Sequence, residues 1–266
     1  MTGSWGVVVP VKRLALAKSR LSSYGDTARQ ELALAFAADV VEAALLVARV
    51  LVVTDDEHAA GVLSGLGAEV TADNPDAGLN PALAHGAELL RHRERDTGVA
   101  TLSADLPALR DSDLRSALGE VGPERAFVTD LEGTGTTLLA AGPGVDLAPS
   151  FGPGSRAAHL TSGARPLVAN RPLRCDVDTP SDLLTALAIG VGRHTSAVAS
   201  TLGLVTVTGT VRAWDPSAGG SAFRDDGSIV QLGRDALQDS GFRFLRVGQR
   251  VRVATAPDAT ARVALP

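Results

Sequence analysis

The sequence predicts an α/β protein: a mostly parallel sheet flanked by helices on both faces, followed by a small all-β barrel. Three observations carry this reading. Short apolar runs rich in β-branched residues, the first being Val7 to Val9, alternate with longer segments of helical spacing. These runs are continuous rather than alternating, as in parallel strands buried on both faces. After residue 201 the texture changes to short alternating segments divided by Gly-rich turns, the pattern of a small antiparallel barrel. The expected organisation is therefore an α/β domain over residues 1–192, a linker at 193–201 and a barrel over 202–266.

The chain has 266 residues, 45% hydrophobic but only 3% aromatic, so its core must be built from Leu, Val and Ala. A net charge of −5 argues against electrostatic binding of nucleic acid by the whole protein. The lone Cys175 cannot form an internal disulfide, which fits a reducing cytoplasm. Met1 to Gly6 lacks the basic start of a signal peptide. The most apolar long stretch, Phe36 to Ala48, carries Asp39 and Glu42 and does not read as a membrane span. The expectation is a soluble, cytoplasmic protein with no membrane partner.

Taken in order, the strand Val7 to Val9 ends at Pro10, which has no N–H for a ladder. Lys12, Arg13, Lys18 and Arg20 then place four cationic side chains within nine residues. Such a loop at a strand's carboxyl end suits an anionic ligand, and equally suits plain solvation. Asp26 or Thr27 can cap a helix to about Ala48, with Leu32, Phe36, Val40 and Val47 on one face. A strand at Val50 to Thr54 follows, then a helix closed by Gly65 and Gly67, and a strand at Ala68 to Thr71. Asp73 to Gly78 is a polar turn containing Pro75, and Asn80-Pro81 opens a helix to about Arg91. Arg91, His92, Arg93 and Arg95 read as its solvated end.

Val99 to Ser103 is a strand ending in Ala104-Asp105-Leu106-Pro107, and a helix starts near Asp111. Ala126 to Asp130 and Thr137 to Ala141 read as strands around Gly133-Thr134-Gly135-Thr136. Gly142 to Gly154 is loop, Ser155 to Ser162 a short helix and Arg174 to Val177 a last short strand. Thr179 caps a helix to Ile189 with Pro180 at its first position. In the tail, Val205 to Arg212, Ser228 to Leu232 and Arg250 to Ala254 read as strands. Its eight arginines exceed its six aspartates.

Chemistry concentrates at three aspartates. Asp176 and Asp178 flank Val177, so an extended segment puts both on one face, and Asp105 ends another strand. Oxygen ligands at strand ends suit Mg²⁺, whereas capping aspartates give the same pattern. Carboxylates facing one pocket repel unless a cation intervenes, and the basic loop would need an anion between it and the acids. A metal-bound triphosphate meets both demands. Gly133 to Thr137 and Phe151-Gly152-Pro153-Gly154-Ser155-Arg156 are tight turns that could also grip a small phosphorylated molecule. His58, His85, His92, His159 and His194 show no metal spacing and read as surface or helix residues. Cys175 reads as a buried strand residue rather than a nucleophile.

An ordered set of motifs makes the reading specific. Pro10-Val11-Lys12-x-Leu14-x-x-Ala17-Lys18-Ser19-Arg20-Leu21, Leu79-Asn80, Asp105-Leu106-Pro107, Gly133-Thr134-Gly135-Thr136, Phe151-Gly152-x-x-Ser155 and Cys175-Asp176-Val177-Asp178-Thr179-Pro180 occur in that order. Over residues 4–192 the chain resembles the guanylyltransferases of deazaflavin coenzyme F(420) biosynthesis, which act on phosphoenolpyruvate or 2-phospho-L-lactate. The resemblance implies a nucleotide-diphospho-sugar-transferase-like fold, GTP and a small phosphorylated carboxylic acid as substrates, and Mg²⁺. It implies that Lys12, Lys18 and Arg20 contact phosphates and that Arg13, Leu79 and Asn80 meet the nucleotide. It further implies that Thr136, Gly152 and Ser155 bind the acceptor and that Asp105, Asp176 and Asp178 hold the metal.

The tail resembles a cold-shock, OB-type domain through Gly209-Thr210-Val211-Arg212-Ala213-Trp214 and Gly219-Gly220-Ser221-Ala222-Phe223. It departs from that family at Ser228-Ile229-Val230-Gln231-Leu232, which lacks the aromatics that stack bases. Only Trp214 and Phe223 remain as platforms. Nucleic acid is therefore not an expected partner beyond weak binding by the tail. An inactive nucleotidyltransferase scaffold with an RNA-binding tail, or an enzyme for another phosphorylated acceptor, stays open on sequence alone.

Overall fold

Val7, Val8 and Val9 are completely buried. Val7 and Val9 face one packed layer and Val8 the other, because successive strand side chains point to opposite faces. They lie in β1 (Trp5–Pro10), the third strand of a seven-stranded sheet. The structure, a computed structural model, describes residues 4–74, 77–94, 96–258 and 260–266. The other strands of this sheet are β2 (Arg49–Val53), β3 (Glu69–Thr71), β4 (Gly98–Leu102), β5 (Ala126–Val128), β6 (Leu138–Ala141) and β7 (Arg165–Pro166). Their order is β3-β2-β1-β4-β6-β5-β7. β1 runs parallel to β2 and β4, β2 to β3, and β5 to β7, while β6 is antiparallel to both neighbours.

The helices are α1 (Asp26–Leu45), α2 (Glu57–Gly65), α3 (Leu79–Arg93), α4 (Asp111–Gly119), α5 (Ser155–Thr161), α6 (Pro180–Ile189) and α7 (Arg193–Thr201). α1, α2 and α4 cover the face of Val7 and Val9, and α3 covers the face of Val8. α3 comes so close that a Cβ at Gly86 would lie 2.9 Å from Val8. α1 is buried on a second side too, where Leu32 and Phe36 pack with α6. Among the described residues no helix is long and apolar enough to cross a membrane.

The expected elements recur with four differences. Neither Asp26 nor Thr27 caps α1; Gly25 occupies the N-cap at φ 86° and Asp26 lies in the first turn. Residues 174–177 form no strand, because β4 is already flanked by β1 and β6. Arg174 instead closes a 3-10 turn at Arg171–Leu173, and the chain after it is held by the Val177 N–H donating to the Asp105 carbonyl at 3.0 Å. The end of α3 is not wholly solvated, since Arg93 pairs with Glu69 and Arg91 donates to the Val145 carbonyl. Arg95 of that cluster, and Pro75 and Asp76 of the expected 73–78 turn, lie outside the described residues.

The fourth difference is the expected linker at 193–201, which is α7. Its N-cap, Gly192, offers no side chain. The cap comes from α1: buried Asp39 accepts the His194 and Thr195 backbone N–H groups at 3.0 and 2.9 Å. A Cβ at Gly192 would overlap the Asp39 carboxylate.

The tail forms a second, antiparallel sheet of β8 (Val205–Asp215), β9 (Gly219–Arg224), β10 (Ile229–Leu232), β11 (Arg250–Thr255) and β12 (Ala261–Ala264), ordered β10-β9-β8-β11-β12. A bulge between Val211 and Ala213 adds twist, and the edge strands β10 and β12 touch, so the sheet curls into a half-barrel. It packs on α6 through Ala254 and Ala264, with Arg252 donating to the Ile189 carbonyl at 2.7 Å and Arg262 to Ser181 Oγ at 2.8 Å.

Asp39→Ala should lower the unfolding free energy by about 2–3 kcal/mol through loss of the bonds to α7, read by urea denaturation. An unchanged midpoint would show that α7 holds without this cap.

Candidate active site

The first sheet reverses its order at β1. The chain steps outward from β1 to β2 and β3, then returns to β4 on the other side. A crevice outside the carboxyl ends of β1 and β4 follows from that reversal. β1 delivers Lys12 and Arg13, a 3-10 turn at Leu14–Leu16, and Lys18 in the left-handed region at φ 52°. β4 delivers Ser103, Ala104 and Asp105.

The basic loop is braced from beneath. Buried Arg29 on α1 donates to the carbonyls of Leu14 at 3.2 Å, Ala15 at 3.0 Å and Ala17, and pairs with Asp26. Asp56 Oδ2 accepts the Leu14 N–H at 2.8 Å, while its Oδ1 caps α2 at Ala59. A buried arginine has few stable roles, and satisfying loop carbonyls is one. Neither Arg29 nor Asp56 stood out in the sequence.

Lys18 Nζ donates to Asp105, and to Asp178 Oδ1 at 2.8 Å. Arg20 lies 3.9 Å from the other oxygen of Asp178. Residues 18, 105 and 178 thus meet in one place. Burial alone would lower the Lys18 pKa, but the two carboxylates outweigh it and raise it. Burial likewise opposes ionisation of Asp178, yet Lys18 and Arg20 hold its carboxyl below the usual range. Lys18 therefore neutralises part of the acid cluster directly. A cavity of about 760 Å³ opens here, lined by Lys12, Lys18, Arg20, Leu79, Asp105 and Asp178 among others. Arg13 stands outside that lining and pairs with Asp55 at 3.7 Å.

Asp176 is pushed up to about 7, first by burial and then by Asp105, Asp130 and Asp178. Asp105 Oδ1 is buried without a hydrogen-bond partner. Crowded carboxylates with an orphaned oxygen fit a divalent cation that takes oxygen ligands. Asp130, which the sequence reading passed over, links this group to the Gly-Thr turn. It accepts the Thr134 and Gly135 N–H groups at 2.9 and 2.6 Å, and a Cβ at Gly135 would overlap it. Arg174 donates to the carbonyls of Thr129 at 3.1 Å and Asp130 at 2.8 Å, fixing the strand end beside the 174–178 segment.

Thr136, Gly152 and Ser155 are brought together, but not on the walls of the cavity just described. Ser155 is buried at the start of α5, its N–H donating to the Gly152 carbonyl at 3.0 Å, and Arg156 N–H reaches the Thr134 carbonyl at 3.2 Å. Asn80 clamps the adjacent loop, accepting the Phe151 N–H at 2.7 Å and donating to the Phe151 carbonyl at 3.0 Å. That amide joins the start of α3, beside the cavity, to the 151–155 turn. His159 is not a surface residue: it is fully buried between Phe127 and Phe151 and touches Thr136.

Other features carry less. Asp39, Glu42 and His194 place ligand-type atoms within 4.8 Å of one another. Asp39 is engaged by α7 and Glu42 by Arg193. Burial pushes the Cys175 thiol up to about 12, which removes it as a nucleophile. In the tail Phe223 is exposed with the Arg212 guanidinium 5.6 Å from its ring centre, whereas Trp214 packs against the tail core.

A family model described as "Guanylyl transferase CofC like" matches residues 5–211. The chain belongs to this family. The match runs past the first sheet and α7 into β8. A phosphoenolpyruvate guanylyltransferase of Thermomonospora curvata is 54% identical over 203 residues, covering 74% of this chain and 89% of that protein. One from Streptomyces coelicolor is 53% identical over 205 residues, covering 74% of this chain and 97% of its own length. Among solved structures, a protein from Desulfovibrio desulfuricans described as a nucleotide-diphospho-sugar transferase shares the fold, with a TM-score of 0.53 at 16% identity over 69% of this chain and 86% of that one. The expected nucleotide-diphospho-sugar-transferase-like architecture is thereby met, in a CofC-like guanylyl transferase.

A carboxylic acid whose folded pKa lies above its unfolded value stabilises the fold while protonated. That stabilisation is complete below about pH 4 and fades as pH rises through the folded value. For Asp176 the window ends near 7. Asp176→Asn copies the neutral form, so it should raise the metal-free thermal midpoint by about 2–6 °C at pH 8. The gain should vanish near pH 4, as followed by circular dichroism.

Proposed function

We propose that this chain transfers guanylate from GTP to phosphoenolpyruvate, releasing pyrophosphate, as a cytoplasmic step in the assembly of coenzyme F(420). One observation carries the proposal: Lys18 and Arg20 meet Asp105 and Asp178 in a cavity of about 760 Å³ at the sheet's switch point. The family and the relatives' names support guanylyl transfer, and the actinobacterial relatives' names favour phosphoenolpyruvate over 2-phospho-L-lactate.

In this reading Arg13, Leu79 and Asn80 lie on the nucleotide side, and Lys12, Lys18 and Arg20 bind the triphosphate. Thr136, Gly152 and Ser155 hold the acceptor. Asp105, Asp176 and Asp178 would hold Mg²⁺, which when bound supplies positive charge to phosphate oxygens. A phosphate monoester is largely dianionic at pH 7, so its attacking oxygen needs no base. That agrees with a site whose described histidine neighbour, His159, is held neutral by burial, its pKa pushed down to about 4. The chain's own task is to release Lys18 from the acids toward the incoming anion and to hold two anions in line.

We further propose that residues 202–266 form a degenerate OB-like accessory domain. Base stacking needs several exposed aromatics, each worth about 1–3 kcal/mol, and among the described tail aromatics only Phe223 and Phe244 are exposed.

With GTP and each acid offered in turn, and the next enzyme of the pathway present to trap product, pyrophosphate should appear fastest with phosphoenolpyruvate. Asp105→Asn and Asp178→Asn should each lower turnover about 100-fold or more while melting normally. Near-normal release from both would remove the metal assignment. In filter binding at physiological salt, the full chain should hold single-stranded RNA no tighter than about 10 μM. Submicromolar, salt-sensitive binding would favour an RNA-binding tail.

A further inference from the structure

We infer that His159 is a positioning residue that fixes the Thr136 hydroxyl as a hydrogen-bond donor to the acceptor's anionic group. The inference rests on the acceptor reading just given, and deepens it by assigning the donor and its support.

The geometry settles which ring nitrogen carries the proton. His159 Nε2 lies 3.0 Å from the Ser150 backbone nitrogen. A backbone N–H can only donate, so Nε2 must present its lone pair. The ring is fully buried and flanked by Phe127 and Phe151, with centroids 5.7 and 5.2 Å away. Burial and Arg125 both disfavour the charged ring. A neutral ring whose Nε2 accepts has its proton on Nδ1. Nδ1 lies 2.9 Å from Thr136 Oγ1, so it donates to that hydroxyl.

The consequence falls on Thr136. Its oxygen has one strong donor fixed upon it, and its own hydrogen is turned elsewhere. Without His159 the hydroxyl could rotate between giving and receiving. With it, one lone pair is taken and the hydrogen is aimed away from the ring, free to be given. A donor of fixed direction favours an anion over a neutral group.

The placement agrees. Thr136 follows the turn that Asp130 binds beside Asp176. Ser155 and His159 are four residues apart on α5, share one helix face and are both buried. Ser150, which sets the tautomer, precedes Phe151, and Asn80 holds Phe151 by both backbone groups. The Thr136 hydroxyl is thus fixed through His159 and residues 150–151 to the start of α3.

Two substitutions separate positioning from mere packing. His159→Asn keeps an N–H near the Nδ1 position and loses the contact with Ser150. His159→Gln reaches the Nε2 position and loses the donor to Thr136. The KM for phosphoenolpyruvate should stay near the wild-type value in the first and rise about 10-fold or more in the second, with the KM for GTP unchanged in both. Equal acceptor KM values in the two, or the reverse order, would overturn the inference. Should either variant fail to fold, ¹⁵N NMR of the wild-type protein decides, with ring signals assigned by their loss in the other variant or their shift in Thr136→Ser. A ring protonated on Nδ1 and bare on Nε2 at pH 7 supports the assignment, and the opposite tautomer overturns it. If the wild type releases pyrophosphate with neither acid, the functional reading falls separately, and the hydroxyl's orientation is then judged by the tautomer alone.

Discussion

The ammonium of Lys18, shared by Asp105 and Asp178, is the interaction on which the site depends. It joins three segments that are remote in sequence and adjacent only because β1 and β4 are neighbours. Everything around it works to place that one nitrogen: the left-handed turn at residue 18, the Arg29 brace under the loop, and the Val177 amide on the Asp105 carbonyl. A half-buried acid pair without a cation would carry a repulsive cost, and Lys18 offsets it. In the proposed function the same nitrogen turns toward a phosphate chain, so the resting arrangement and the working one compete for one charge.

Much of this was legible because the relevant signals are local. The valine run, the Pro10 stop and the Thr179-Pro180 cap each declare themselves within a few residues, and the cap closes as a reciprocal box with Asp182. The basic loop and the aspartates announced their chemistry through residue type. What escaped reading is held by partners far along the chain. Residues 193–201 have the small, polar composition of a linker, yet become a helix because Asp39 caps it from more than 150 residues away. His159 looked like an ordinary helical histidine, since neither Ser150 nor Thr136 marks it in sequence. Arg174 to Val177 had a strand's composition, but it lies beyond the end of β4, whose two sides are already taken by β1 and β6.

Asp130 and Arg29 were missed for a related reason. Both spend their polar atoms on backbone groups, so they carry no motif of their own. Their importance is in shape: one curls the Gly-Thr turn around a carboxylate, the other props a loop of cations from within the core. Together they make the charged side chains the exposed surface of a stiff frame rather than tips of mobile loops.

The junction between the two sheets has a consequence of its own. Where the half-barrel meets α6, the facing residues include Ala254 and Ala264, which present single methyl groups. They cover Leu183, Leu184 and Leu187 of α6, so parting the two bodies would wet the leucines of the helix, while the barrel side gives up chiefly small methyl groups and two arginines. A joint of that kind makes the half-barrel part of the cover of α6, so removing it would leave that helix with a bare apolar face.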